Sequence, residues 1–328
     1  MQVLELEGVS IGGICSCLPG TVVDNLADCR RVFGDGAKAQ SVVKATGIVR
    51  KRLAEPGVTS LDLCVAAAKR LMADAAVAPQ EIGAVICVTF TPARNMPCNA
   101  CQTQRLLGLP NDIVAFDVGL ACSGYAYGLY LAGQLVRATE KSVLLLDGDV
   151  QSAVTDPADK DTVPVLADAG TATLLLPTGS GEPWKFAFLS KGEDGEALTL
   201  PFGGRIAMDG YAVYRFVATD VAAFIREFMK TAGIGPGDID AFVPHQANVF
   251  MIRQLAKALG IPGEKLLVSG DEVGNSASAT VPVTISRCAG KAKALLVSGF
   301  GGGLSASVAR IVLPENALLA SFDFPRAT

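Results

Sequence analysis

The chain holds one histidine, His245, among 328 residues. It lies in Phe242–Asn248, "FVPHQAN". An imidazole can take a proton from a thiol or hydrogen-bond a developing oxyanion. Cys122 lies in "GLACSGYAYG", after an apolar run around Ile113–Phe116 and before a helical stretch. A cysteine at a helix N-terminus feels the positive end of the helix dipole, which favours thiolate and predicts a lowered pKa. Asn275, in "VGNSASATVP", brings an amide donor without charge. Cysteine, histidine and asparagine together make a nucleophile with a polar hole. They do not make a metal site, because asparagine is a poor ligand and there is no second histidine. Each also has a plainer reading: a lone histidine can be a packed residue, and a cysteine between small neighbours can be a buried hydrophobe.

Two other stretches could carry chemistry. The run "GFGGGLS" (Gly299–Ser305) follows an apolar strand but lacks the Lys-Ser/Thr ending of a phosphate loop. Its backbone N–H groups could approach an acyl adduct on the cysteine, and the same run could form a tight strand-to-strand hairpin. Cys98-x-x-Cys101 has no second close pair and no nearby histidine to complete a zinc site.

The residues that could position these groups belong to an internal repeat. "QEIGAVICV" (Gln80–Val88) matches "GDIDAFVPH" (Gly237–His245). "LLGLP" (Leu106–Pro110) matches "ALGIP" (Ala258–Pro262), and "KSVLLLDGD" (Lys141–Asp149) matches "KALLVSGFG" (Lys293–Gly301), both at an offset of 152. Each half predicts a long helix (Leu61–Ala75; Val213–Thr231), a strand (Ala84–Thr89; Ala241–Pro244) and a second helix (Asn99–Leu107; Ala247–Leu259). A strand, a helix and two final strands follow in each. The strands are short, continuous apolar runs, as expected when both sheet faces are covered. The reading is an α/β fold of two layered halves, residues 1–176 and 177–328, joined near "PTGSGEP" (Pro177–Pro183). The nucleophilic cysteine falls in the first half, His245 and Asn275 in the second. Cys122 plus 153 is Asn275, so the two occupy equivalent strand-to-helix elbows and could meet His245 near a common axis.

Composition bounds the function. Half the residues are apolar and 18% are charged, ample for a core. A net charge of −4 argues against general nucleic-acid binding. No basic-then-apolar leader and no long apolar span is read, so neither secretion nor membrane insertion is expected. Nine scattered cysteines, without a regular framework, predict reduced thiols in a cytoplasm.

The segments "GLACSGYAYGL", "VPHQAN", "GNSASATVP" and "GFGGGLSAS" resemble the type III β-ketoacyl-ACP synthases of the thiolase superfamily. "TGIVRKRLA" (Thr46–Ala54), "CQTQRLLG" (Cys101–Gly108) and "MDGYAVYRF" (Met208–Phe216) extend the likeness over nearly the whole chain. The resemblance implies a duplicated five-layer αβαβα fold, a homodimer, no cofactor, and decarboxylative condensation of an acyl thioester with malonyl-ACP. It implies Cys122 as the acyl-accepting nucleophile, with His245 and Asn275 holding the malonyl thioester oxygen. It further implies the N–H groups of Cys122 and Gly302 as the second oxyanion hole. Met208, Phe216 and Phe250 are expected to contact substrate. Met96 matches the family's dimer-crossing residue that limits the acyl pocket, so a longer or branched chain is expected there, although methionine also serves as core filling.

Departures sharpen these expectations. The stretch before "TGI" reads "SVVKA" (Ser41–Ala45), without the tryptophan and arginine that clamp the adenine of CoA in typical members. The only tryptophan, Trp184, falls in the join between halves. Weak CoA binding, or a donor on acyl carrier protein, follows, and with it a specialised pathway rather than bulk fatty-acid initiation. Phe250 stands where the family usually has a basic residue. Arg253 and Lys257, four apart on one helix face, are a displaced carrier-docking patch or a plain solvated face. Two other functions stay open: an acyltransferase passing the acyl group from Cys122 to an alcohol, amine or thiol, and a non-catalytic subunit that binds carrier protein.

Overall fold

A computed structural model describes residues 1–179 and 181–325. Ser180, inside the predicted join, lies outside the described residues. The first half runs β1 (Leu4–Leu6), β2 (Val9–Leu18), β3 (Thr21–Asp24), α1 (Asn25–Phe33), α2 (Gly36–Thr46), β4 (Arg50–Leu53), α3 (Ser60–Asp74), β5 (Ile82–Val88), α4 (Asn99–Leu107), β6 (Val114–Val118), α5 (Gly124–Thr139), β7 (Ser142–Val150) and β8 (Asp168–Pro177). The second runs β9 (Trp184–Ser190), β10 (Leu198–Thr199), β11 (Ala207–Met208), α6 (Gly210–Phe216), α7 (Ala222–Ala232), β12 (Ala241–Pro244), α8 (Val249–Ala258), α9 (Gly270–Val273), α10 (Thr280–Cys288), β13 (Ala294–Gly301), β14 (Ser305–Val312) and β15 (Leu318–Asp323).

Two sheets carry the repeat. One has the order β15-β2-β8-β7-β5-β6, the other β1-β9-β14-β13-β12. In each, two antiparallel pairings precede a parallel one: β2·β8, β8·β7, β7·β5 in the first, and β9·β14, β14·β13, β13·β12 in the second. Where β6 extends the first sheet, the second has, among the described residues, only a bridge from Phe242 to Leu266. The terminal strands cross over: β1 joins the second half's sheet and β15 the first half's.

Continuous apolar strands explain the layering. Every residue of β5 and β7 is buried, so both faces of that sheet are covered. α3 covers its outer face against β2, β7 and β8, while α5 packs between the sheets, against β5 and β7 on one side and β13 and β14 on the other. α10 shares that middle layer, touching β2, β8, β12 and β13. Phe228 of α7 and Leu255 of α8 pack with Leu296 and Val308 on the outer face of the second sheet. The result is five layers, αβαβα.

Local chemistry sets the element ends. Thr59 and Asp62 form a reciprocal capping box that starts α3. Asn248 caps α8 by accepting from the Met251 N–H at 2.8 Å, so this helix starts two residues later than its apolar pattern predicts. The predicted helix Val213–Thr231 is one helical stretch with a π-turn at Val217–Val221 between α6 and α7. Trp184 is not in a linker: it opens β9, pairs with Leu6 and is fully buried, because its ring fills the core beneath that strand.

Candidate active site

Cys122 sits in the turn between β6 and α5, His245 directly after β12, and Asn275 between α9 and α10. All three line one cavity of about 470 Å³, with Gly301, Gly302 and Gly303 on the same wall. They are 8%, 2% and 7% exposed, so each is largely withdrawn from solvent. The cavity joins both halves, as the equivalent elbows predict.

The glycine run lies against the cysteine. It closes the β13–β14 hairpin, and a Cβ on Gly301 would come within 2.7 Å of the Cys122 Cβ and 3.1 Å of its Sγ. Gly302 differs: a Cβ there would meet nothing nearer than 3.8 Å. The elbow is pinned to β14 through Ser123 Oγ to Ser305 Oγ at 2.7 Å and through Ser307 Oγ, which donates to the Ser123 carbonyl at 2.8 Å.

His245 is held through Nδ1. The ring nitrogen is 3.0 Å from the Ala277 carbonyl and 2.7 Å from Thr280 Oγ1, and the ring edge meets Phe300 in a T-shaped contact. The Thr280 hydroxyl is also 2.8 Å from the Ala277 carbonyl. It can therefore serve either neutral tautomer. With Nδ1–H donating to Ala277, Nε2 is a base; with Thr280 donating to Nδ1, Nε2–H is a donor. Burial pulls the imidazole down to about 3, so the ring is neutral near pH 7.

Asn275 is stitched by its backbone. Its N–H donates to the Val165 carbonyl at 2.9 Å, and its carbonyl accepts from the Ala167 N–H at 2.8 Å and from Gln151 Nε2 at 2.6 Å. Its side-chain oxygen accepts from the Ala277 N–H at 3.0 Å, which leaves the amide NH₂ for chemistry. Gln246 is structural: its amide ties Pro244 to the Ser269 and Gly270 N–H groups.

The structure reverses one expectation at Cys122. Burial, then the nearby Asp149 carboxyl, pushes the thiol up to about 12, against the lowering effect of a backbone N–H. The helix N-terminus does not offset the loss of water around the sulfur. The resting group is a thiol.

The other site candidates divide. Met208 lines the cavity. Phe216 does not: it is a core residue packed with Val217, Val221 and Phe300, because α6 turns that face inward. Phe250 is half exposed and lies outside the cavity wall, although Asn248 and Met251 of the same turn line it. Met96 is 85% exposed and also lies outside this cavity. Arg253 and Lys257 are exposed on α8. Cys98 stands at the N-cap position of α4 without a capping side-chain hydrogen bond, and Cys101 is exposed in its first turn; among the described residues no group of three His, Cys, Asp or Glu could hold a metal ion.

Sequence reasoning missed Gln151, Thr280 and most of the apolar wall: Phe90, Leu198, Leu200, Ile206 and Val213. Thr280 lay inside the quoted "GNSASATVP" and its hydroxyl was the available signal. The wall residues carried none, since an apolar residue facing a cavity reads like one facing the core.

This duplicated, five-layered architecture is the thiolase-like fold. Two family profiles match, 3-oxoacyl-[acyl-carrier-protein (ACP)] synthase III over residues 116–194 and its C-terminal counterpart over residues 229–312. The β-ketoacyl-[acyl-carrier-protein] synthase III 2 of Streptomyces coelicolor is 35% identical, with 93% of this chain and 94% of the relative covered. The crystal structure of a 3-oxoacyl-(acyl-carrier protein) synthase from Burkholderia xenovorans superposes with a TM-score of 0.93 at 31% identity, covering 98% of this chain and 99% of the other. The priming β-ketosynthase of the R1128 polyketide biosynthetic pathway superposes with a TM-score of 0.87 at 28% identity, covering 96% and 99%. The chain belongs to the β-ketoacyl-[acyl-carrier-protein] synthase III family.

Proposed function

We propose that the protein catalyses decarboxylative Claisen condensation of an acyl thioester with malonyl-ACP through an acyl-Cys122 intermediate. The observation that carries this reading is the meeting of Cys122, His245 and Asn275, from both halves, on one buried cavity. The sulfur attacks the acyl carbonyl as the thiol gives up its proton to water, and the departing thiolate takes up a proton in turn. The N–H groups of Cys122 and Gly302 are assigned to the second oxyanion, the one formed when the carbanion attacks the acyl-Cys122 thioester. The malonyl thioester then binds with its carbonyl oxygen on the Asn275 NH₂ and the Nε2–H tautomer of His245. Loss of CO₂ leaves an enolate whose carbon attacks the acyl-Cys122 carbonyl; the bond to sulfur breaks, and the released thiolate takes a proton from water to restore the thiol. The apolar wall, Met208 included, suits an acyl chain.

Several finer points rest on this reading. Arg253 and Lys257, exposed on one helix face and without an ion pair among the described residues, support docking of an acidic carrier beside the entrance turn of α8. An edge strand, β6, and the exposure of Met96 support a homodimer in which Met96 reaches the partner's cavity. Nine free cysteines, and the absence among the described residues of a helix long and apolar enough to cross a membrane, support a cytoplasmic location. The two halves, 1–176 and 177–328, are read as the two repeats that supply the nucleophile and the histidine–asparagine pair.

Intact-protein mass spectrometry with acyl-CoA and acyl-carrier-protein donors, paired with CO₂ release from malonyl-carrier protein, tests the reading. Cys122→Ala is expected to lose the acyl adduct. His245→Ala and Asn275→Ala are expected to keep the adduct and to lose about 10²–10³-fold in condensation. Condensation that survives His245→Ala sinks the proposal; an adduct with product but no CO₂ release turns it into acyl transfer to a heteroatom.

A further inference from the structure

Ala277 anchors both side chains, His245 and Asn275, that line the cavity with the cysteine. Its N–H holds the Asn275 side-chain oxygen, and its carbonyl faces His245 Nδ1. Yet Ala277 has a φ of 53°, in the left-handed region that non-glycine residues rarely adopt. Such a conformation persists only when its surroundings over-determine it.

The next residue shows what holds it. The Ser278 hydroxyl donates to the Asp147 carboxyl, across 131 residues of sequence and from one half to the other. Both residues are fully buried. Asp147 sits in β7, and its second oxygen has no hydrogen-bond partner among the described residues. Its neighbour Asp149 is different in kind: Oδ1 of Asp149 collects four donors from Thr89, Phe90 and Thr91 and fastens that loop. Among the described residues the Asp147 side chain accepts a hydrogen bond from Ser278 alone, and a buried carboxyl with one donor is expected to stay uncharged. Burial indeed raises its pKa well above the usual carboxylate range.

We propose that Asp147 is a positioning residue: through Ser278 it holds the Ala277 turn, and so sets the orientation of His245 and Asn275. It touches no substrate and acts on the second half-reaction alone, since Cys122 is held from β14 and the glycine run. The proposal rests on the roles given above to His245 and Asn275.

The test compares Asp147→Ala, Asp147→Asn and Ser278→Ala with His245→Ala and Asn275→Ala, reading the Cys122 adduct and CO₂ release separately. Asp147→Ala and Ser278→Ala are expected to acylate Cys122 within about 2-fold of the parent and to lose about 30-fold or more in CO₂ release. Asp147→Asn keeps an uncharged acceptor for Ser278 and is expected to restore CO₂ release to within about 5-fold. If Asp147→Ala does not fold, Ser278→Ala and Asp147→Asn decide alone. Parent-like CO₂ release in Ser278→Ala, or an equal fall in both half-reactions, overturns the positioning role while leaving the proposed function standing. Parent-like CO₂ release in His245→Ala and Asn275→Ala would instead remove the reading beneath it.

Discussion

The elbow at Cys122 and the elbow at Asn275 occupy the same place in the two halves, yet they are held in opposite ways. Cys122 precedes a 16-residue helix whose first turn lacks a side-chain cap, and the facing strand meets the sulfur with glycines. Asn275 precedes a short helical turn and a 9-residue helix, and is stitched on all sides by Gln151, Val165, Ala167 and Ala277. Space is made around one residue by leaving side chains out. Around the other, polar contacts are added. A nucleophile must be approached by a carbonyl carbon, so its surroundings are cleared; an oxyanion donor must not turn away, so its backbone is clamped.

Filling the cleared side should do the most damage. Gly301→Ala drives a methyl group into Cys122, and a loss of at least about 10²-fold in acyl-Cys122 formation is expected by mass spectrometry. Gly302→Ala, whose Cβ has room and whose N–H is retained, should stay within about 5-fold. Equal damage from both would mean that the run matters as a flexible hairpin and not as a close approach.

Loosening the clamped side should cost less. Gln151→Met removes two donors, to the Asn275 carbonyl at 2.6 Å and the Ala167 carbonyl at 2.8 Å, while keeping side-chain length. A destabilisation of about 1–3 kcal/mol in urea unfolding is expected. The Ala167 N–H still serves the Asn275 carbonyl, so condensation should fall by only about 10-fold, with acylation unchanged.

The smallest effect on turnover concerns Asp149, whose carboxyl burial pushes up to about 7. A raised folded-state value contributes stability that is full below about pH 4, where the unfolded chain is also protonated. That contribution is lost as pH rises towards 7, where the folded protein must ionise a buried group. Asp149→Asn should therefore flatten the fall in unfolding free energy between pH 4 and 7. Its four donors all converge on Oδ1, which asparagine retains. An unchanged pH slope would assign the fall to the other carboxyls that burial raises, Asp147 and Asp168.

Much of this comparison was legible in one dimension. The repeat offset near 152 paired Cys122 with Asn275, and the strand orders of the two sheets repeat accordingly. The rarity of histidine singled out His245. Phe216 and Phe250 were misplaced because the face a helix turns to its neighbour depends on how α6 and α8 pack, which local pattern leaves open. Trp184 was misplaced for a related reason: turn residues just before it disguised the first residue of a buried strand.

Sequence alone determined which functional groups are present, that the chain is doubled, and that equivalent elbows carry a thiol and an amide, since these depend on residue identity and spacing. Tertiary structure alone decided their protonation and their support. Cys122 is a thiol and His245 a neutral ring because both are buried by residues from distant parts of the chain. The Ala277 turn is held from β7 of the opposite half. Desolvation and cross-half hydrogen bonds are properties of neighbours in space, and no local stretch of sequence encodes them.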